Sequence, residues 1–558
     1  MVPFPSIYPP LLLLVSVALC ALAVRIVTWR IRRGRLPPGP PAHSIWGHAE
    51  LVKSPRLHLI AADWANSFGG MVTLHFMGTN TVIINSAADA IELLDKRASS
   101  TSGRPREVMM GEVMGYNTSV GLHQPDERFR KLRRVMASAM HVTAVRRYQP
   151  IEVDNIKYML RRMAGLGGSA LTSNDKVNTA SVSQAMGVGH PASSAQPMSL
   201  VREAATRFIL SVAYGHEVKP HDPFIGLIHA AMMKIREGKY PIVEALPWLV
   251  HLPRWFPGTR FLQVGAEGHA LRDAYARRPF EQVKTEMRAG TARHSFVSNL
   301  LTAKGGPDGA TAHDQDLIKW TAAALFVGGS DTTVAVINTF LLMMAANPEI
   351  QRLAQEEIAN VLGPKDDLPR DQTAVVCGGE GATDTGDVTL PARLPNFGDR
   401  PQLPYLEAVF KEVVRFNPGL SMGLPHAVTQ EESYHGYTFP VGTIIRANIW
   451  AILHDPALYS SPHTFDPKRY LEPRADPNPL RYVFGFGRRI CPGVHLAADQ
   501  PWLAMAGILS TFNVIAGKGL IEESKSRPWE MFEFNGMTSQ PKPLPFSLVL
   551  RQGAEDLL

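Results

Sequence analysis

Three stretches of the chain combine residue types that could do chemistry. The first is Phe484-Gly485-Phe486-Gly487-Arg488-Arg489-Ile490-Cys491-Pro492-Gly493, in which glycines and a proline surround one cysteine. Glycine lets a backbone take positive φ and approach a flat object closely, and Pro492 and Gly493 lead into an apolar run, Val494 to Phe512, that reads as a helix. A cysteine just ahead of a helix N-terminus has its thiolate favoured by the helix dipole. Cys491 is therefore a candidate anionic ligand, against the blander reading of a small buried hydrophobe. The second stretch is Gly328-Gly329-Ser330-Asp331-Thr332-Thr333, inside the longest apolar run, Leu317 to Ala346. Each glycine costs about 1 kcal/mol relative to alanine in a helix interior, so the pair implies a kink, a close helix contact or needed space. A carboxylate and a hydroxyl one residue apart, in a helix opened locally, suit proton relay through water. The third is Glu412-x-x-Arg415 on an amphipathic segment, Pro404 to Phe416, which taken alone reads as a surface ion pair.

These stretches together are similar to the cytochrome P450 family of haem-thiolate enzymes. Phe484, Gly487, Cys491 and Gly493 match its FxxGxxxCxG signature. The resemblance implies a haem iron cofactor (heme b) with Cys491 as proximal iron ligand, Phe484 packed beside it, and Arg489 on a haem propionate. A thiolate ligand pushes electron density onto the iron and favours O–O cleavage. The glycine-interrupted run resembles the family's A/G-G-x-D/E-T motif, which implies Asp331 and Thr332 as catalytic proton carriers and the glycines as room for oxygen and substrate. In the basic segment Glu127 to Met140, Phe129-x-x-x-Arg133 stands where the family has Trp-x-x-x-Arg. This implies a propionate contact from Arg133, without the indole N–H that Phe129 lacks. His426 matches a position for a third propionate contact. Glu412 and Arg415, with Arg469 in Phe465-Asp466-Pro467-Lys468-Arg469-Tyr470, resemble a buried structural triad, and Gly536-Met537-Thr538 a substrate-facing turn.

The implied fold is mainly α with small β-sheets. Short β-like runs at Met71 to Phe76 and Thr81 to Asn85 flank Gly78-Thr79-Asn80, and a final strand is expected at Pro545 to Leu550. Methionines 109, 110 and 114 suit a plastic apolar pocket or ordinary core. Two stretches, 165–198 and 371–393, lack a clean period and read as inserted loops or translated introns.

Three cysteines, Cys20, Cys377 and Cys491, exclude a disulfide framework. The net charge is +7, but Arg25, Arg30, Arg32, Arg33 and Arg35 supply five of those charges, and nothing argues for nucleic acid. The uncharged run Leu11 to Val24, followed by that arginine cluster, reads as a single-pass anchor with the rest of the chain cytosolic, because a cleaved signal peptide carries its charge before the apolar run. The expected organisation is an anchor over 1–35, a stiff linker at Leu36-Pro37-Pro38-Gly39-Pro40-Pro41, and one haem-thiolate domain over 36–558 in the endoplasmic reticulum membrane.

The function implied is monooxygenation of a small lipophilic substrate with O2, in a manner similar to fungal secondary-metabolite enzymes. No flavin or nicotinamide fingerprint is present, since Gly485-Phe486-Gly487 lacks a third glycine and the βαβ setting. Electrons must then come from a partner, NADPH-cytochrome P450 reductase, with cytochrome b5 as a second donor. A haem-thiolate isomerase or dehydratase would not need Asp331-Thr332, and a haem sensor would not need complete motifs on both haem faces.

Overall fold

The computed structural model describes residues 36–42, 47–48, 54–76, 78–165, 195–219, 222–364, 388–473, 475–534, 538–543 and 545–558, with isolated positions between 16 and 24. The expected anchor over 1–35 falls almost wholly outside these residues. So do most of the two expected loops, Cys377, and Gly536 and Met537 of the expected substrate-facing turn. Among the described residues, the helix long and apolar enough to cross a membrane is Ala312–Ala346, and most of its apolar window is buried inside the protein.

The helices that position the site are α1 (Leu57–Phe68), α2 (Glu127–Met140), α3 (Gln149–Met163), α4 (Ala195–Tyr214), α5 (Pro223–Glu237), α6 (Arg260–Arg288), α7 (Phe296–Thr302), α8 (Ala312–Ala346), α9 (Pro348–Leu362), α10 (Pro404–Phe416) and α11 (Val494–Thr511). Helix α8 runs through the middle and touches α2, α4, α6, α7, α9, α10 and α11. It is apolar on most sides because, apart from the stretch around Gly328, it is packed against other helices on most sides. It starts at Ala312, five residues before the apolar run, and is capped by Thr311, whose hydroxyl accepts the Asp314 N–H at 3.1 Å. Its first turn, with His313 and Asp314, is polar and invisible to a hydrophobicity pattern. The glycine pair does not break it.

A four-stranded sheet has the order β1 (Met71–Phe76), β2 (Thr79–Ile84), β6 (Ile444–Ala447) and β3 (His426–Ala427). β1 and β2 are antiparallel, β2 and β6 parallel, and β6 and β3 antiparallel. The first turn is tighter than expected. Gly78, at φ +79°, lets Thr79 and Asn80 join β2. Two-stranded pairs are β4 (Glu432–Tyr434) with β5 (Tyr437–Phe439), β7 (Phe512–Ala516) with β10 (Phe546–Leu550), and β8 (Phe532–Phe534) with β9 (Ser539–Pro541). The proline-rich segment is docked on this body. Thr73 N–H donates to the Pro38 carbonyl at 3.0 Å, and a Cβ on Gly39 would lie 2.0 Å from the Thr73 carbonyl oxygen. Downstream, an antiparallel bridge between Pro364 and Pro391 closes the base of the second expected loop.

Glu412, Arg415 and Arg469 form one buried network. Arg415 donates to both Glu412 oxygens at 2.7 and 2.8 Å, Arg469 Nε reaches the same carboxylate at 3.1 Å, and all three side chains are fully buried. The remaining guanidinium hydrogens go to the carbonyls of Leu453, Ser460, Ser461, Pro462 and Thr464 and to Asp476. Removing the central anion leaves two buried cations facing each other. Glu412→Ala is expected to lower unfolding stability by about 3 to 5 kcal/mol in urea titration of the holoprotein.

Glu152 on α3 is a different case. It is fully buried against α11, neither carboxylate oxygen has a partner, and burial, reinforced by Asp499, pushes its pKa up to about 9. The folded state therefore holds it neutral while the unfolded chain ionises it near 4.5. A raised pKa contributes stability that is complete below about pH 4.5 and declines as pH rises towards about 9. Glu152→Gln is expected to exceed the parent in unfolding free energy at pH 8 by on the order of a few kcal/mol in urea titration, with the two values converging at pH 5.

Candidate functional site

Cys491 sits in a loop folded by its own backbone. The Cys491 N–H donates to the Phe484 carbonyl at 2.7 Å, which closes the loop, and Gly485 turns it at φ +79°. Gly487, at φ +51°, lies against the preceding structure so closely that a Cβ would stand 2.4 Å from the Leu94 carbonyl oxygen. Its N–H also donates to Asp95. Gly493 is the N-cap of α11, and its N–H points back at the cysteine. Burial pushes the Cys491 thiol up, while the Gly493 N–H and the Arg133 guanidinium pull it down.

Cys491 and Phe484 line a cavity of about 2810 Å³ whose opposite wall includes Gly328 to Thr333 of α8. The two glycines there do different things. Around Gly328 a Cβ would find open space, whereas on Gly329 it would lie 2.8 Å from Cδ1 of Ile209, so this residue lets α4 approach α8. The Thr332 hydroxyl donates to the Gly328 carbonyl at 2.8 Å. Asp331 is held towards α4 by Arg202, 2.8 Å away, which also reaches Gln540 Oε1 at 3.2 Å. Neither Arg202 nor Gln540 was visible as a partner in the sequence, because each lies far along the chain.

The cations expected around the cofactor do come together. Arg489 is buried, donates to the carbonyls of Ser102 and His123 at 2.8 and 2.7 Å, and lies 4.1 Å from the centroid of the Phe129 ring. Phe129 therefore supplies a cation–π face where an indole would have supplied a donor. Arg133 lines the cavity beside Cys491. His426 Nδ1 is 3.0 Å from the Thr101 carbonyl. A carbonyl only accepts, so Nδ1 carries the hydrogen, and burial with Arg104 and Arg489 nearby pushes the imidazole pKa down to about 3. Arg104, missed in the sequence, completes the group. It donates to the carbonyls of Gly121 and Pro425 at 2.7 and 2.5 Å.

Burial, with Arg104 and Arg133 adding to it, holds the Arg489 pKa down to about 9. Three guanidinium groups at the cavity wall, two of which hold down the pKa of the third, with a buried histidine next to them, fit a ligand that carries carboxylates. A sulfur donor at a helix N-terminus fits its metal. On α2, Arg128 pairs with Asp316 at 2.8 Å and Lys131 with Glu127 at 2.9 Å, while Arg130 and Arg134 are exposed.

A central helix carrying a glycine pair, facing a cysteine loop across a cavity rimmed with cations, defines a haem-binding oxidoreductase fold. The family model for cytochrome P450 matches residues 37–544, and the chain belongs to that family. It is 33% identical over 562 aligned positions to the cytochrome P450 monooxygenase claR of Ampulloclitocybe clavipes, covering 99% of this chain and 93% of the relative. It is 30% identical over 518 positions to a tryptamine 4-monooxygenase of Psilocybe cyanescens, covering 90% and 91%. A solved zebra fish cytochrome P450 with progesterone superposes with TM-score 0.63 at 20% identity, over 89% of this chain and 99% of that one, a likeness of fold alone. The cofactor is haem iron, and the activity is that of a monooxygenase using O2 and a redox partner.

The division of labour between the glycines is measurable. Gly328→Ala is expected to raise stability by about 1 kcal/mol through helix propensity. Gly329→Ala should gain nothing or lose, because Ile209 must move. Thermal melting of the two variants in parallel checks this.

Proposed function

We propose that the chain inserts one oxygen atom of O2 into a lipophilic terpenoid, polyketide or aromatic molecule in fungal secondary metabolism. In this reading Cys491 is the iron ligand with Phe484 beside it, and Arg133, His426 and Arg489 hold the haem carboxylates. The observation that carries it is the opening of Cys491 and of Gly328 to Thr332 onto one cavity. When bound, haem supplies O2 binding and one-electron chemistry.

The protein's own groups do the rest. The apolar cavity excludes bulk water from the reacting carbon. Thr332 turns its hydroxyl between the Gly328 carbonyl and water, and Asp331, released from Arg202, hands protons inward from the α4 side. A propionate beside His426 would draw a second proton onto the ring, making Nε2 a donor. For each oxygen atom inserted into a C–H bond, two electrons and two protons convert the other oxygen atom to water.

The electrons come from NADPH through NADPH-cytochrome P450 reductase, with cytochrome b5 as a second donor. The exposed Arg130 and Arg134 of α2 are placed to meet an acidic partner. Residues 1–35 anchor the chain in the endoplasmic reticulum membrane, and 36–558 form the cytosolic catalytic domain. The P. cyanescens relative is named for tryptamine, an aromatic compound, which falls within the proposed substrate range.

Two measurements test the reading. The carbon monoxide difference spectrum of the reduced parent should show the thiolate-ligated band, and Cys491→Ser should lose it; a colourless parent after haem supplementation defeats the assignment. Thr332→Ala should keep that band while product formed per NADPH falls roughly tenfold or more and hydrogen peroxide rises. Unchanged coupling would remove Thr332 from the relay.

A further inference from the structure

Where the four-stranded sheet contributes to the cavity wall, it carries a charge that an apolar substrate would not need. Arg446 lies on β6, beside Ile83 of β2 in the parallel register, and its side chain lines the cavity. Its Nε is buried without a hydrogen-bond partner, and among the described residues the guanidinium forms no ion pair. Around it the wall is apolar, with Leu57, Leu74, Ile444 and Met422 lining the same space. The residue as a whole is half-buried with its Nε enclosed, an unpaired guanidinium in such a place is destabilising, and burial lowers the Arg446 pKa.

The acid near it does not cancel it. Glu107 also lines the cavity and interacts electrostatically with Arg446, yet the two do not close to the 4.0 Å of an ion pair. Glu107 is held in place from the other side. Glu244, on the short helix Pro241–Ala245, accepts the N–H groups of Val108 and Met109 at 2.7 and 2.9 Å and so ties down the backbone just after Glu107.

We infer that Arg446 and Glu107 form a polar anchor for a carboxylate at the distal end of the substrate, whose apolar body extends towards Gly328 and Thr332. This rests on the monooxygenase reading and narrows its substrate class to lipophilic acids. A carboxylate can take two parallel N–H bonds from the edge of a guanidinium, including the orphaned Nε. Glu107 can add a third bond only while it holds its own proton. Burial and then Glu244 raise its pKa to about 7, against the lowering effect of Arg446 and Arg104. The other charge on this loop, Arg106, is engaged by Glu112. An ammonium group would instead meet Arg446 unshielded, so the anchor discriminates against amines.

The test is calorimetric titration of the purified holoenzyme with a graded series of straight-chain and arylalkanoic acids, their methyl esters and the matching amines. At least one acid should bind about tenfold or more tightly than its ester and its amine. Arg446→Met should abolish that preference, leave the ester affinity unchanged, and raise the melting temperature of the substrate-free enzyme, which a purely structural arginine would not do. In the parent the preference should fall as pH rises above about 7, where Glu107 ionises and repels the ligand. Glu107→Gln, which always donates, should keep the preference and lose that pH dependence. Acids that bind no better than esters or amines, or a preference surviving in Arg446→Met, would overturn the anchor. The carbon monoxide spectrum of each variant keeps the two questions apart, since an intact thiolate band alongside a lost preference leaves the monooxygenase reading standing.

Discussion

At Gly487 a glycine backbone presses against the carbonyl of Leu94, with a positive φ and no room for a Cβ. That contact, with the hydrogen bond from the Cys491 amide to Phe484, makes a ten-residue loop rigid enough to hold one sulfur at the mouth of a helix. The rest of the architecture follows from having to put something opposite it. Helix α8 supplies the far wall, and the helices around it bury its remaining faces. The Glu412, Arg415 and Arg469 network ties α10 to the segment leading into the loop by charges too deeply buried to be rearranged without loss.

The cavity between these parts has a largely apolar wall with many ionisable groups set into it, and three groupings of them bear on the chemistry. Arg104, Arg133, His426 and Arg489 gather within electrostatic range of one another, where repulsion and burial leave a demand for anions. Asp331 is clasped by Arg202 on the α4 side. Arg446 and Glu107 line the cavity as well, within electrostatic range of each other, and Arg104 also acts on Glu107. One chamber thus holds charges in several different pairings. Low dielectric makes each of them stronger than the same charges would be in water.

Much of this was legible in the residues. The cysteine loop, the glycine pair with Asp331 and Thr332, and the Glu412-x-x-Arg415 pair are all local strings, and local strings carry their geometry with them. Helices α2 and α10 begin and end where their apolar spacing and caps place them, with Asp126 accepting the Phe129 N–H at 2.9 Å at the start of α2. Where the reading differed, the cause was also local but polar. The first turn of α8 is hydrophilic, and the β1–β2 turn needs only one glycine. Arg446 left a trace too, as a lone charge in the apolar run Ile444 to Leu453, though nothing in that run says what it faces.

The sequence by itself determined the chemistry available, because a sulfur, a hydroxyl and a carboxylate are properties of single residues, and glycine's conformational freedom and a helix's apolar period operate over a few neighbours. Only the tertiary structure decided the partners. Arg202 meets Asp331 across 129 positions and Arg489 meets Ser102 across 387. Arg446 comes within electrostatic range of Glu107 without pairing with it. Such encounters depend on how whole helices and strands pack. Burial then alters the charge each group carries, an effect with no counterpart in the linear chain.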